Sequence, residues 1–195
     1  VVLYNVRCAS SVGHDGGCLL IQRSRDVQLA ECSFFESSAL YSAGAILIDQ
    51  SANVTISNCI FNGTSAGNDA GGVLIDSSCA NVTISHCSFL HTAAAEHGGG
   101  LMISAFNKDV VVMNSTFTET TAGEDAGAIY VYDSNVNVKI LDCNFTRTSA
   151  AFDGGAIHML VENRDVVLSR CVFTECFAGS DGGGAHFFVD TFDLV

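Results

Sequence analysis

Proline is absent from all 195 residues, where average usage near 5% would place about ten. Proline has no N–H to give, so its absence suits a chain in which each segment must donate backbone hydrogen bonds to a neighbour. Basic residues are scarce, eight Lys and Arg against 21 Asp and Glu, for a net charge of −13. That balance argues against nucleic acid as a partner and against anionic membranes. No apolar run approaches the length of a membrane span, and no signal-peptide pattern stands at the start. The opening Val1-Val2-Leu3-Tyr4 has no initiator Met, which reads as a processed or partial polypeptide. Linkers, low-complexity tails and any sustained helical period are missing too, so residues 1–195 read as one domain.

What is present is a repeat. A small-residue step followed by an apolar strand recurs at Gly17, Gly44, Gly71, Gly99, Gly127, Gly155 and Gly183, so successive spacings are 27, 27, 28, 28, 28 and 28. A period of that length marks a solenoid, each copy one supersecondary unit stacked on the last. Each copy opens its second register with Asp or Asn (Asp26, Asn53, Asn81, Asp109, Asn137, Asp165) and continues to a cysteine column of Cys32, Cys59, Cys87, Ser115, Cys143 and Cys171. Two residues on stand Phe34, Phe61, Phe89, Phe117, Phe145 and Phe173, followed by a hydroxyl column (Ser37, Thr64, Thr92, Thr120, Thr148, then Cys176) and an alanine column. Period-two alternation of Val, Ile, Thr and Phe indicates strands, and a parity shift near Ser57 and Asn58 indicates a bend. Each copy is therefore expected to hold two or three short strands separated by corners. Stacked in register about 4.7–4.9 Å apart, these build an all-β fold, a parallel β-helix (β-solenoid) of about seven coils with the phenylalanines in one buried ladder.

The steps Gly154-Gly155-Ala156-Ile157 and Ala126-Gly127-Ala128-Ile129, with a phenylalanine motif some 18 residues downstream, resemble the repeats of chlamydial polymorphic outer-membrane proteins and the β-helix regions of the pectin-lyase-like superfamily. Where those carry Phe-x-x-Asn, this chain has Phe61-Asn62-Gly63-Thr64 and Phe117-Thr118-Glu119-Thr120. The resemblance implies a right-handed parallel β-helix, the hand also following the rule for parallel crossovers, and it implies a surface or adhesive role.

Five Asn-x-Ser/Thr sequons occur, at Asn53, Asn62, Asn81, Asn114 and Asn144. Asn and Thr are also what corners and strands use; the alternative reading is N-glycosylation in a secretory path. Asn114 and Asn144 flank the cysteine and phenylalanine columns at the opposite parity, so they are expected to point outward as the best glycan sites. Nine cysteines mostly follow the repeat and read as a ladder of buried thiols. Cys8, Cys18, Cys79 and Cys176 lie off that column and are the disulfide candidates.

Chemistry is harder to find. An acidic column, Asp15, Asp69, Asp125, Asp153 and Asp181, interrupted by Ser42 and His97, could in principle supply paired carboxylates. A repeated corner Asp is more often a turn residue. An outward stripe of Leu20, Leu47, Leu74, Met102, Tyr130, His158 and His186 calls for a covering loop or a lateral contact. His158 and His186 should stack one strand apart, with no third metal ligand evident. No catalytic residue, cofactor or metal is assigned. The sequence thus points to a non-enzymatic extracellular structural protein, N-glycosylated and stacked end to end into a homopolymeric fibre through the apolar ends Val1–Leu3 and Phe187–Val195. The alternatives are an adhesin or passenger segment of a longer surface protein, and a polysaccharide lyase or glycoside hydrolase on the same fold.

Overall fold

The computed structural model describes residues 1–188; Val189–Val195, part of the segment expected at a fibre junction, lie outside the described residues. Among the described residues twenty-eight strands fall into four parallel sheets of seven, so this part of the chain winds through seven four-sided coils. In the third coil the sides are Ala52–Ser57, Ile60–Asn62, Ser65–Ala66 and Val73–Ile75. Coils three to six repeat those lengths without insertion. The expectation of two or three strands per copy is thus corrected to four: the third side is only two residues long, too short to leave an alternation in the sequence.

Register follows the repeat. Phe61 pairs with Phe34 on one side and Phe89 on the other, and Ala66 with Ala39 and Ala94. Inside the solenoid the aliphatic and phenylalanine columns form one continuous core. The rings of Phe34, Phe61, Phe89, Phe117, Phe145 and Phe173 are near-parallel, with successive centroids 4.9, 4.6, 4.6, 5.1 and 5.0 Å apart. Five are buried, and Phe173 is partly buried at the last described coil.

Corners are made by left-handed residues. Asn58 has φ 52°, as the parity shift implied, and its column mates Glu31, His86, Asn114, Asp142 and Arg170 share the conformation. So does the Asp/Asn column within the long strands (Asp26 55°, Asn53 56°, Asn81 54°), where short polar side chains tolerate a positive φ best. Their amides form a ladder: Asn53 Nδ2 donates to Asp26 Oδ1 at 2.8 Å, and Asn81 Nδ2 to Asn53 Oδ1 at 3.1 Å. The glycine column has a different cause. A Cβ on Gly99 would overlap the carbonyl oxygens of Gly127 and Thr121, because successive coils approach there backbone to backbone.

A second, buried ladder is a feature the sequence reading missed. Asn107 Oδ1 accepts from the Cys79 N–H, Asn135 Oδ1 from the Asn107 N–H, and Asn163 Oδ1 from the Asn135 N–H, at 2.9, 2.9 and 3.0 Å. The 28-residue spacing of these asparagines was visible, but Ser51 and Cys79 occupy the same position in earlier coils and hid the column.

Candidate functional site

Between the third and fourth sides, each coil throws out a short loop that returns onto the outer face of the fourth sheet. Its turning residue is left-handed in every described coil: Gly16, Ala43, Ala70, Gly98, Ala126, Gly154 and Gly182, with φ between 58° and 66°. In the middle coils the loop alanines Ala43, Ala70 and Ala126 pack on Leu47, Leu74, Met102 and Tyr130 as a small second apolar cluster. The outward stripe is therefore covered by the chain's own loops; Leu74, Met102 and Tyr130 are buried while Leu20, in the first coil, is exposed.

Toward the C-terminal coils the same stripe becomes polar. His158 sits at the centre of Ile157–Met159 and His186 at the centre of Ala185–Phe187, paired in register with ring centroids 4.9 Å apart. The loops above them turn on glycine, and a Cβ on Gly154 or Gly182 would stand 2.8 or 2.7 Å from the Cβ of His158 or His186. The carboxylates of the loop face the rings. Each divides its oxygens between two tasks: Asp125 Oδ1 accepts the Asp153 N–H at 3.0 Å and Asp153 Oδ1 the Asp181 N–H at 2.9 Å. The second oxygens turn inward, Asp125 Oδ2 lying 3.6 Å from Nδ1 of both His97 and His158, and Asp153 Oδ2 3.4 Å from His186 Nδ1. His97 also stacks on Tyr130 at 4.7 Å and has Glu124 at 3.5 Å. The acidic column is thus in part a hydrogen-bond ladder, as a turn role requires, and in part a wall facing histidines.

Electrostatics differ along this row. Burial lowers the pKa of His158, against the pull of Asp125. The Asp181 N–H holds the Asp153 carboxyl below its usual range, and burial raises that of Asp69. His158 is 3% exposed, and neither of its ring nitrogens has a hydrogen-bond partner among the described residues. The third potential donor beside the two histidines is Asp153. It belongs to a separate column five residues before His158, and only the returning loop places it over the rings: its carboxylate, His158 and His186 bring three donor atoms within 4.8 Å of one another.

The other sequence candidates lie apart from this row. Asn114 and Asn144 are exposed on a corner and on the second sheet, Asn62 is partly buried, and Asn53 and Asn81 are exposed but engaged in the amide ladder. Cys8 and Cys18 are joined by a disulfide. Cys8 occupies the phenylalanine position of the first coil, in register with Phe34, and Cys18 follows Gly17 as Gly72 and Gly100 follow their glycines; Gly72 and Gly100 are the residues on which Phe89 and Phe117 rest. Cys79 and Cys176 are free thiols, which corrects their standing as disulfide candidates. Cys79 takes the place of a ladder asparagine, and Cys176 that of a hydroxyl-column threonine, each surrounded by its own column rather than by another cysteine. In the cysteine column the thiols donate to backbone carbonyls two residues back, as from Cys59 to Ser57 and Cys143 to Leu141 at 3.3 Å. Ser115 fits the column by donating to Met113 O at 2.9 Å.

A four-sided, unbroken parallel solenoid of this kind defines the β-helix class. The chain matches the model of the right-handed β-helix region over residues 14–190 and belongs to that family. No curated protein matches the chain. Among solved structures it is similar to that of the Streptococcus pneumoniae surface protein and adhesin PfbA, at 15% identity and a TM-score of 0.31, over 96% of this chain and 67% of that one. A likeness that distant carries no functional argument. No helix among the described residues is long and apolar enough to cross a membrane.

Proposed function

We propose that this chain is a non-enzymatic structural rod that works outside the cell, N-glycosylated at Asn114 and Asn144 and extended end to end by further copies. The observation that carries the reading is the uninterrupted coil: four consecutive coils of identical strand lengths, with no loop insertion to frame a substrate cleft. A surface hollow lined by Ser134, Val136, Glu162 and Arg164 holds only about 170 Å³, below ordinary small-molecule sites. Within the acidic column that an enzyme reading would use, Asp125 and Asp153 are tied into backbone hydrogen bonds and face histidines. The Cys8–Cys18 disulfide supports an oxidising compartment, and the remaining cysteines do not oppose it, because most of them are buried.

Extension by further copies would set another parallel strand beside the three-residue strand Val2–Tyr4, on the side away from Arg25–Ala30. Seven coils at about 4.8 Å give a protomer rise of roughly 34 Å, so purified protein should form filaments with that axial repeat in negative stain. Monodisperse monomers at all concentrations refute the fibre and leave a rod whose neighbouring coils belong to a longer surface chain. Release of reducing ends or unsaturated products from acidic polysaccharide refutes the non-enzymatic reading. Protein from its native source should lose two glycans on amidase treatment, with deamidation at Asn114 and Asn144; an unchanged intact mass removes the glycan part.

A further inference from the structure

The loop that covers the aliphatic stripe elsewhere meets His158 and His186 at its C-terminal end, and there the packing is incomplete in a specific way. A buried imidazole normally satisfies at least one ring nitrogen, since leaving a polar group unpaired in the interior costs about 1–3 kcal/mol. Among the described residues His158 satisfies neither nitrogen in spite of being 3% exposed. Its nearest carboxylate oxygen, on Asp125, stands off at 3.6 Å. His186 Nδ1 is likewise buried without a hydrogen-bond partner among the described residues, 3.4 Å from Asp153 Oδ2. The Asp153 carboxylate is already aimed, because its other oxygen is held by the Asp181 N–H.

We propose that Asp153, His158 and His186 form a binding site for one divalent transition-metal ion of the zinc type. The donor set selects that class: two imidazoles and one carboxylate suit zinc and its neighbours, whereas calcium and magnesium take oxygen ligands. Spacing is compatible. The three donors lie within 4.8 Å of one another, and donors at about 2.1 Å around a tetrahedral ion stand about 3.4 Å apart, so binding requires them to draw together. Access comes from the rim, where the side chains of Asp153 and His186 are both 25% exposed while that of His158 is 4% exposed. Parallel strand pairing fixes the two histidines one above the other, and the glycine turns at Gly154 and Gly182 keep the loop close enough for Asp153 to reach. Three protein ligands leave a fourth position open to water or to a donor from outside the chain. A second cluster, Asp69, Glu96 and His97, has no imidazole so fully enclosed and is the internal competitor.

The test is a titration of the chelator-stripped whole chain with zinc chloride alone, read by calorimetry and by thermal unfolding. One ion per chain and a raised Tm are expected. His186→Ala and Asp153→Asn, both at the partly exposed rim, should weaken binding more than the 10–100-fold that outer-shell partners carry, and His91→Ala, far along an exposed corner, should leave it unchanged. Cobalt in place of zinc should show tetrahedral d–d absorption without a thiolate charge-transfer band. The assignment is overturned by an absence of heat and of any Tm shift at millimolar zinc, by binding that survives His186→Ala and Asp153→Asn, by a thiolate band, or by binding that is lost in His97→Ala alone.

Discussion

Replacing Phe117 by Ala should be among the most costly single changes in this solenoid. The ring is fully buried and stacked on both faces, by Phe89 at 4.6 Å and Phe145 at 5.1 Å. Beneath it runs Gly100, where a Cβ would stand 2.8 Å from the ring's Cδ1, so the backbone cannot move in to refill the space. Truncating a buried Phe costs about 3–5 kcal/mol, and each lost stacking partner adds about 0.5–1.5 kcal/mol beyond area burial. Two such partners and a rigid wall place Phe117→Ala near the upper end, at roughly 5 kcal/mol. Phe173 provides the comparison within the same column: its ring is partly buried and stacked by Phe145 alone among the described residues, so Phe173→Ala should cost roughly half as much. Urea unfolding followed by far-UV circular dichroism measures both. A Phe117→Ala effect within about 0.5 kcal/mol of the parent, or equal effects at the two positions, refutes the argument that stacking depth sets the cost.

Asn135→Leu should cost roughly 2–5 kcal/mol, since it removes the acceptor of the Asn107 N–H and the donor to Ser104 O at 2.7 Å, orphaning two buried groups; a cost below about 1 kcal/mol would show the ladder to be dispensable. Thr92→Val should be neutral or stabilising by up to about 1 kcal/mol, because the Thr92 hydroxyl is buried without a partner and Val keeps its shape. A clear loss in the same urea assay would reveal a bond to that hydroxyl. Burial pushes the thiols of Cys79 and Cys143 up to about 11 and about 12, so the native protein should resist maleimide at neutral pH at these positions while the partly exposed Cys171 and Cys176 label first. Peptide mapping that finds Cys143 labelled as fast as Cys176 contradicts the buried-ladder account.

The coil count, the parallel register, the phenylalanine stack and the corner at Asn58 were all legible because each depends on residue type recurring at one step. Where the fold constrains conformation rather than chemistry, the sequence is silent. Glu36, Gly63, His91, Glu119, Arg147 and Glu175 share a left-handed φ of 49–66°, yet they have no side-chain type in common, since each faces outward and only the backbone is fixed. The candidate metal site was half legible: His158 and His186 stood out as neighbours in one column and Asp153 in another, but the period alone did not show that the acidic loop is the one that returns over the fourth sheet.

Departures from the repeat therefore sort by what they do to the column they interrupt. Ser115 for cysteine preserves the column, since its hydroxyl makes the same bond to a carbonyl two residues back that the thiols make. Cys8 for phenylalanine alters composition yet keeps its place in register with Phe34, linking covalently to Cys18 in the first coil. The change from Leu47, Leu74 and Met102 to His158 and His186 does neither. It gives up apolar contacts beneath the loop and installs nitrogens that the surrounding protein leaves unpaired. Single hydroxyls do sit unbonded in a column, as those of Thr64, Thr92, Thr120 and Thr148 do, but His158 leaves both ring nitrogens of a 3% exposed residue without a partner among the described residues, the more costly failure. On the metal-site proposal, the stripe's polar end is the place on this rod where a ligand, rather than the fold, completes the structure.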